Sequence, residues 1–361
     1  MISADRWAVD HELTRLLRRG AERPGTLPMR DHDDLWAAFA RAAEGGKRFR
    51  PALLVATHRT LDGARPAAAI QVAAALELLH TAFVVQDDVI DGDQVRRGVS
   101  TLSGSFARGA REQGVPRDGA QRYADAAGIL AGDLGLLAAY RAVSRCDAPD
   151  PVVDRLLDLF ESTVHASAAG ELADVRLQLG LCDDTAALQD ALAVAELKTA
   201  TYSFQLPLHA GALLADASPD ILTALDEIGG LLGIGFQLFD DLLGVFGDEG
   251  RTGKSALGDL REGKRTTLLA HASTTSAWPQ LQPLVGRPDL DQVDARQARE
   301  LLTTCGSRAW TQDLAQWHLT SAVEAAERHG LPAPLVRAMT TATQEILRAA
   351  DLSSARTGQP A

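Results

Sequence analysis

Apolar residues recur along this chain at three- and four-residue spacings, with almost no stretch that alternates residue by residue, and that pattern predicts helix from end to end. The sharpest expectation is an apolar helix over about 66–92 that ends in acid. Leu78, Leu79, Ala82, Phe83, Val84 and Val85 lead into Asp87, Asp88 and Asp91, with Arg96 and Arg97 just beyond. A second apolar helix, over about 219–246, ends in Asp240 and Asp241. Other helices are expected over 5–20, 33–43, 51–61, 121–145, 151–180 and 185–214, and helical patterning returns over about 280–352. Pro207 is expected to kink or break the helix it lies in. Segment 93–122, rich in Gly, Arg and Ser, reads as loop with one short helix, and 353–361 as a disordered tail.

Composition agrees with helix and narrows the function. The chain has 361 residues, 46% hydrophobic and only 5% aromatic, with no Pro/Gly/Ser-rich linker through its middle, which favours one large all-α domain over 1–352. A net charge of −12 argues against a nucleic-acid surface. Cys146, Cys182 and Cys305 lie far apart without CxxC spacing and read as buried thiols in a reducing, cytoplasmic setting. No signal peptide and no apolar run long enough to span a bilayer is evident, so no transmembrane segment is expected.

The acidic helix ends carry the chemistry. Asp87 and Asp91 stand one turn apart on one helix face, and Asp88 is rotated by about 100°. Such a pair is most often a solvated surface; its repetition at Asp240 and Asp241 favours a metal site instead. Carboxylates alone, without His or Cys, suit Mg²⁺, which takes one or two of them and completes its shell with water and phosphate oxygens. Two helices delivering acid suggest one cavity with carboxylates on two walls.

Cations accompany the acids. In GGKRFRP, Gly45–Pro51, three cations (Lys47, Arg48 and Arg50) crowd a helix start, where positive charge is unfavourable unless an anion joins it. Lys198 stands in an apolar helix, so it must either snorkel outward or meet an anion. A Gly-rich basic loop, Arg251–Thr266, adds Lys254 and Lys264. There is no GxxxxGK[ST] and hence no nucleotide P-loop. A diphosphate on a hydrocarbon tail fits apolar helix walls that end in acid and base.

These motifs together resemble the trans-isoprenyl diphosphate synthases, which elongate polyprenyl chains. The likeness runs from about Gly45 to Thr267 and takes in GGKRFRP, His80, DDVID at Asp87–Asp91, Arg96–Arg97, Lys198–Thr199, Phe236–Gln237, DDLLG at Asp240–Gly244 and the TGK…GK loop. It implies a large helical bundle around a deep central cavity, and a homodimer. By resemblance, Asp87, Asp88, Asp91, Asp240 and Asp241 hold Mg²⁺, three ions in all. Arg96, Lys198, Lys254 and Lys264 grip the allylic diphosphate, and Lys47, Arg50, His80 and Arg97 bind isopentenyl diphosphate. Thr199 and Gln237 face the carbons that become cationic, and with Lys198 they are the expected catalytic residues. Ala82 and Phe83 would form the floor of the hydrocarbon tunnel, a small Ala82 leaving room beyond a farnesyl tail and Phe83 stopping longer growth. Geranylgeranyl diphosphate is therefore the expected product, with farnesyl diphosphate its competitor.

Three positions depart from the family's pattern. Gly244 replaces a frequent third Asp, Glu171 a frequent Gln, and Gln86 a frequent His. A terpene cyclase would have no use for the second anion site, and a non-catalytic partner subunit would not need every acid and lysine.

Overall fold

The computed structural model describes residues 3–22, 30–96, 98–181, 187–247, 258–337 and 339. Among them the chain is helix and connecting loop apart from one small hairpin, as an all-α fold requires. The first ten α-helices are α1 (Ser3–Ala21), α2 (Arg30–Ala42), α3 (Phe49–Thr60), α4 (Pro66–Ile90), α5 (Leu102–Glu112), α6 (Arg117–Val143), α7 (Asp150–Gln178), α8 (Ala187–Val194), α9 (Leu206–Leu214) and α10 (Pro219–Phe246). After them come α11 (Gly258–Glu262), α12 (Thr267–Ser273), α13 (Trp278–Leu281), α14 (Gln292–Thr304) and α15 (Ser307–Arg328). The tail at 353–361 lies outside the described residues.

By its contacts the chain forms two compact units. The first comprises Met1–Phe160 and Ala210–Ala217, the second Glu161–His209 and Ser218–Ala361.

In the first unit α4 and α6 form the central pair. Glycines on α6 let the two helices approach closely. A Cβ on Gly132 would come within 2.5 Å of Gln86, and one on Gly135 would press on Ala82 and Phe39. The packed face of α4 is therefore the one bearing Ala82 and Gln86, and α3 packs along the same helix. Where a loop was expected after α4, the structure forms an antiparallel hairpin, β1 (Val95–Arg96) with β2 (Val99–Ser100), followed by α5. Gly98, with φ 76°, takes the left-handed position this tight turn needs.

In the second unit α10 packs against α15 on one side and a π-helix, Ala195–Gln205, on the other. Gly229 and Gly233 form the notch: a Cβ on either would collide with Gln205 or Ala200 of the π-helix. Pro207 does not interrupt the helical run. It sits in the first turn of α9, immediately after the winding changes from π to α, where a missing N–H is tolerated.

Three helices qualify as membrane spans by length and composition: α4, α6 and α10. That corrects the expectation that no run is long enough; each carries few charges through its most apolar stretch. In α4 that stretch is 72% buried inside the protein, and in α6 only 44%. Among the described cysteines, Cys146 is buried and Cys305 partly so, both as free thiols; burial pushes the Cys146 thiol up. Cys182 lies outside the described residues.

Candidate active site

The first acidic cluster sits where α4 stops. Asp87 and Asp88 belong to its last turn and Asp91 is the C-cap. The end is a Schellman motif: Gly92, at φ 71°, donates its N–H to the Val89 carbonyl, and Asp93 donates its N–H to that of Asp88. Carboxylates at a helix C-terminus face the negative end of the helix dipole, so a cation must join them. The hairpin returns Arg96 for that purpose. Its Nε donates to Asp88 Oδ1 at 2.7 Å and its Nη2 to Asp87 Oδ2 at 2.9 Å, with Asp93 at 3.5 Å. The hairpin is tied down by Thr101, which caps α5 through Gly104 N–H and donates its hydroxyl to the Asp93 carbonyl.

Burial raises the Asp88 carboxyl to about 6 in spite of Arg96, and neighbouring Asp87 and Asp93 push the same way. Burial also opposes the charge of Arg96, but Asp88 and Asp87 outweigh it and the guanidinium holds its proton more tightly than usual. Arg97 lies outside the described residues.

The second cluster is built differently. Gly229, Gly233, Gln237 and Asp241 recur every four residues on α10 and so share the face against the π-helix. Close approach at the two glycines lets the Thr199 hydroxyl donate to Gln237 Oε1 at 2.6 Å, and Gln237 Nε2 donate to Asp241 Oδ1 at 2.7 Å. Thr267 N–H, at the start of α12, donates to Asp241 Oδ2 at 3.3 Å. Asp241 is 6% exposed, and burial lifts its carboxyl to about 8. Its two hydrogen bonds pull down and the charges of Asp259 and Asp240 push up. Asp240 is half-buried on the same helix.

Sequence reasoning missed Asp259, on α11. Its Oδ2 occupies the place a Cβ on Gly244 would take. The missing third acid of the second motif thus coincides with a carboxylate supplied by another helix. No residue-spacing signal links Asp259 to Gly244, although GDLRE following a basic loop places an acid within reach in sequence.

The Lys198 ammonium meets anions rather than water. It donates to Asp174 at 2.8 Å and Glu171 at 3.0 Å, both on α7, which Gly170 allows to lie against the Leu197–Lys198 backbone. Lys264 pairs with Glu262 at 3.1 Å, and its N–H donates to the Asp259 carbonyl. Lys254 lies outside the described residues.

One reading of the first unit needs correction. Arg48 does not join Lys47 and Arg50 in a free cationic cluster, because Asp10 and Glu77 hold it at 2.8 and 2.6 Å. Lys47 is exposed, Arg50 occupies the first turn of α3 and half-buried His80 lies on the neighbouring α4. Ala82, the expected tunnel-floor residue, packs toward α6. It is fully buried on the α6 side of α4 by Gly135, with Phe39 at the same spot, while half-buried Phe83 shares the face of Asp87 four residues on. Gln86 likewise points at α6, its amide 3.4 Å from Asp133, and so lies off the acidic face.

Among the described residues no three metal-type side chains form a ready cage. Asp87 and Asp88 nonetheless converge on one cation, the Arg96 guanidinium, so their oxygens are aimed at a common positive charge. An all-oxygen pair of this kind fits Mg²⁺, which needs few protein ligands.

The description "Polyprenyl synthetase" belongs to a family whose profile matches residues 35–302. A (2E,6E)-farnesyl diphosphate synthase of Mycobacterium tuberculosis is 31% identical over 295 residues, covering 80% of this chain and 75% of that one. A geranylfarnesyl diphosphate synthase of Aeropyrum pernix is 30% identical over 282 residues, covering 77% and 82%. Among solved structures, a geranylgeranyl pyrophosphate synthase of Corynebacterium glutamicum, complexed with isoprenyl diphosphate and magnesium, superposes with a TM-score of 0.85 at 26% identity, covering 97% of this chain and 99% of that one.

Proposed function

Because the chain belongs to the polyprenyl synthetase family, we propose that its two acidic clusters serve one reaction: condensation of isopentenyl diphosphate with an allylic diphosphate to give geranylgeranyl diphosphate. The chain is a prenyltransferase of the short-chain trans type. The observation that carries the site reading is the convergence of Asp87 and Asp88 on a single cation at a helix end that repels anions.

Asp87, Asp88 and Asp91 would hold Mg²⁺ at the first cluster, and Asp240 and Asp241 at the second. Bound Mg²⁺ supplies positive charge to the diphosphate oxygens as they depart. The protein's own groups do the rest. Arg96, Lys198 and Lys264 present cations to the same diphosphate, stabilising charge where it develops. Each is paired with carboxylates here, so binding exchanges those partners for phosphate oxygens. The Thr199–Gln237–Asp241 chain orients its dipoles by donation toward Asp241, which turns the Thr199 and Gln237 oxygens to one another and offers lone pairs to a carbocation without a nucleophile that would trap it. Lys47, Arg50 and His80 receive isopentenyl diphosphate.

Geranylgeranyl diphosphate as product is supported by the likeness to the Corynebacterium enzyme. Phe83, on the face of Asp87, favours the farnesyl alternative. A homodimer is supported by α6, where Tyr123, Leu130 and Leu137 recur every seven residues at 47%, 52% and 62% exposure. The decisive assay supplies purified protein with Mg²⁺, isopentenyl diphosphate and dimethylallyl, geranyl or farnesyl diphosphate, and reads chain length by mass spectrometry. Geranylgeranyl product is expected. Farnesyl or far longer product would keep the reaction and overturn the length; no condensation by folded protein would favour the partner-subunit reading.

A further inference from the structure

The loop that carries Lys47 and leads into Arg50 on α3 is held in an unusual backbone by one buried side chain. Between α2 and α3, Gly45 and Gly46 have φ of 76° and 78°, and Arg48 has φ 52° and ψ 41°. Left-handed backbone is inexpensive for glycine and unfavourable for arginine, so something outside the loop must keep Arg48 there.

Arg48 is the N-cap residue of α3 but caps nothing with its side chain. Its guanidinium turns back into the protein, 8% exposed, and spends its donors on three segments. Nε donates to Asp10 Oδ1 on α1 at 2.8 Å, Nη1 to Glu77 Oε2 on α4 at 2.6 Å, and Nη2 to the Ala43 carbonyl after α2 at 3.0 Å. A second strap from α1 runs from Arg6 to the Gly46 carbonyl at 3.1 Å. Burial opposes the charge on Arg48, yet the bonds and charges of Asp10 and Glu77 outweigh it, and the guanidinium stays firmly protonated.

The arrangement has two effects. Asp10 and Glu77 neutralise Arg48, so its charge is spent within the protein and not on an incoming anion. The bond to Glu77 also sets the register of the loop against α4 one turn before His80, and the Thr81 hydroxyl donates to the Glu77 carbonyl at that same turn. Resting on the assignment of Lys47, Arg50 and His80 to isopentenyl diphosphate, we propose that Arg48, with Asp10 and Glu77, is the positioning residue of that site. It fixes the two cations against the helix that bears His80 without touching substrate itself.

The test compares the whole enzyme with Asp10→Asn and with the double variant Arg48→Met/Glu77→Gln, which removes the brace without leaving a buried charge unpaired. Steady-state kinetics would be read separately for isopentenyl diphosphate and the allylic diphosphate. The KM for isopentenyl diphosphate is expected to rise on the order of tenfold in the double variant and by a few-fold in Asp10→Asn. The allylic KM and kcat should change less than about twofold, a split that general loss of stability would not produce. Asp10 lies on the exposed side of the network, so its variant keeps the test decisive if the double variant does not fold. An unchanged KM for isopentenyl diphosphate in Asp10→Asn or in the folded double variant overturns the proposal. Wild-type protein that is folded yet does not bind isopentenyl diphosphate would instead overturn the site assignment beneath it.

Discussion

The two acidic clusters look alike in sequence and are compensated by opposite means. At the end of α4, Asp87 and Asp88 face a full positive charge, Arg96, brought back by a hairpin. On α10, Asp241 is as buried as Asp88, and among the described residues it receives only neutral donors, the Gln237 amide and the Thr267 N–H. The consequence is visible in the two carboxyls: about 6 for Asp88 and about 8 for Asp241, burial leading in both. A charged partner offsets much of the desolvation of a carboxylate, and neutral hydrogen bonds offset less. The second cluster is therefore the one that needs an added cation more.

Removing the charge at Asp241 should have the largest effect. An ordinary Asp titrates near about 3.9 when unfolded. With the folded carboxyl raised to about 8, stability from Asp241 is fully present below pH ~4 and is lost as pH rises toward 8. Asn keeps the shape and cannot ionise. In metal-free protein, Asp241→Asn should equal wild type near pH 4 and exceed it by a growing margin up to pH 8, where the gap is on the order of a few kcal/mol. Urea melts at each pH in chelator measure this; a gap that does not vary with pH would show that Asp241 is ionised in the fold.

The helices themselves were legible because apolar spacing and composition both favour helix, and α10 runs over the residues its pattern marks. The need of Lys198 for an anion was also readable from the cost of burying an ammonium, and Glu171 and Asp174 meet it. What could not be read depends on partners distant in sequence. Arg48 looked like one of three phosphate cations because its acids lie 38 and 29 residues away. Helical spacing gives the angle of Ala82 from Asp87 but not which side of α4 faces α6. The π-helix carries Lys198 and Thr199 in a register no local propensity announces, and its one readable sign is the Gly229–Gly233–Gln237–Asp241 ridge opposite.

Gly244 offers a way to sharpen the comparison from the steric side. The Asp259 carboxylate lies where a side chain at 244 would begin, so the shorter motif is not a vacancy. Gly244→Asp should destabilise by about 1–3 kcal/mol through overpacking, with like-charge repulsion added. Asp259→Ala combined with Gly244→Asp should recover much of that loss, because the new carboxylate takes the vacated space. Thermal melts of the two variants decide it. If Gly244→Asp alone melts like wild type, the packing of α11 on α10 does not restrict this position.

The smallest effect tests the cluster with the charged partner. Arg96→Gln removes the guanidinium and leaves Asp88 buried. Where Asp88 is protonated, below about pH 6, little attraction is lost; above it, an ionised buried carboxylate has lost its partner. Arg96 is about a third exposed, so solvent screens the pair and the expected loss in metal-free protein is only about 1 kcal/mol at pH 8. Its pH dependence runs opposite to that of Asp241→Asn: one variant falls behind wild type as pH rises, and the other pulls ahead. Added Mg²⁺ should narrow both gaps, since a cation replaces Arg96 at the first cluster and satisfies wild-type Asp241 at the second. Measuring both variants across the same pH series, with and without Mg²⁺, therefore asks one question of the two clusters. Losses of equal sign would mean that the difference between a charged and a neutral partner does not set their behaviour.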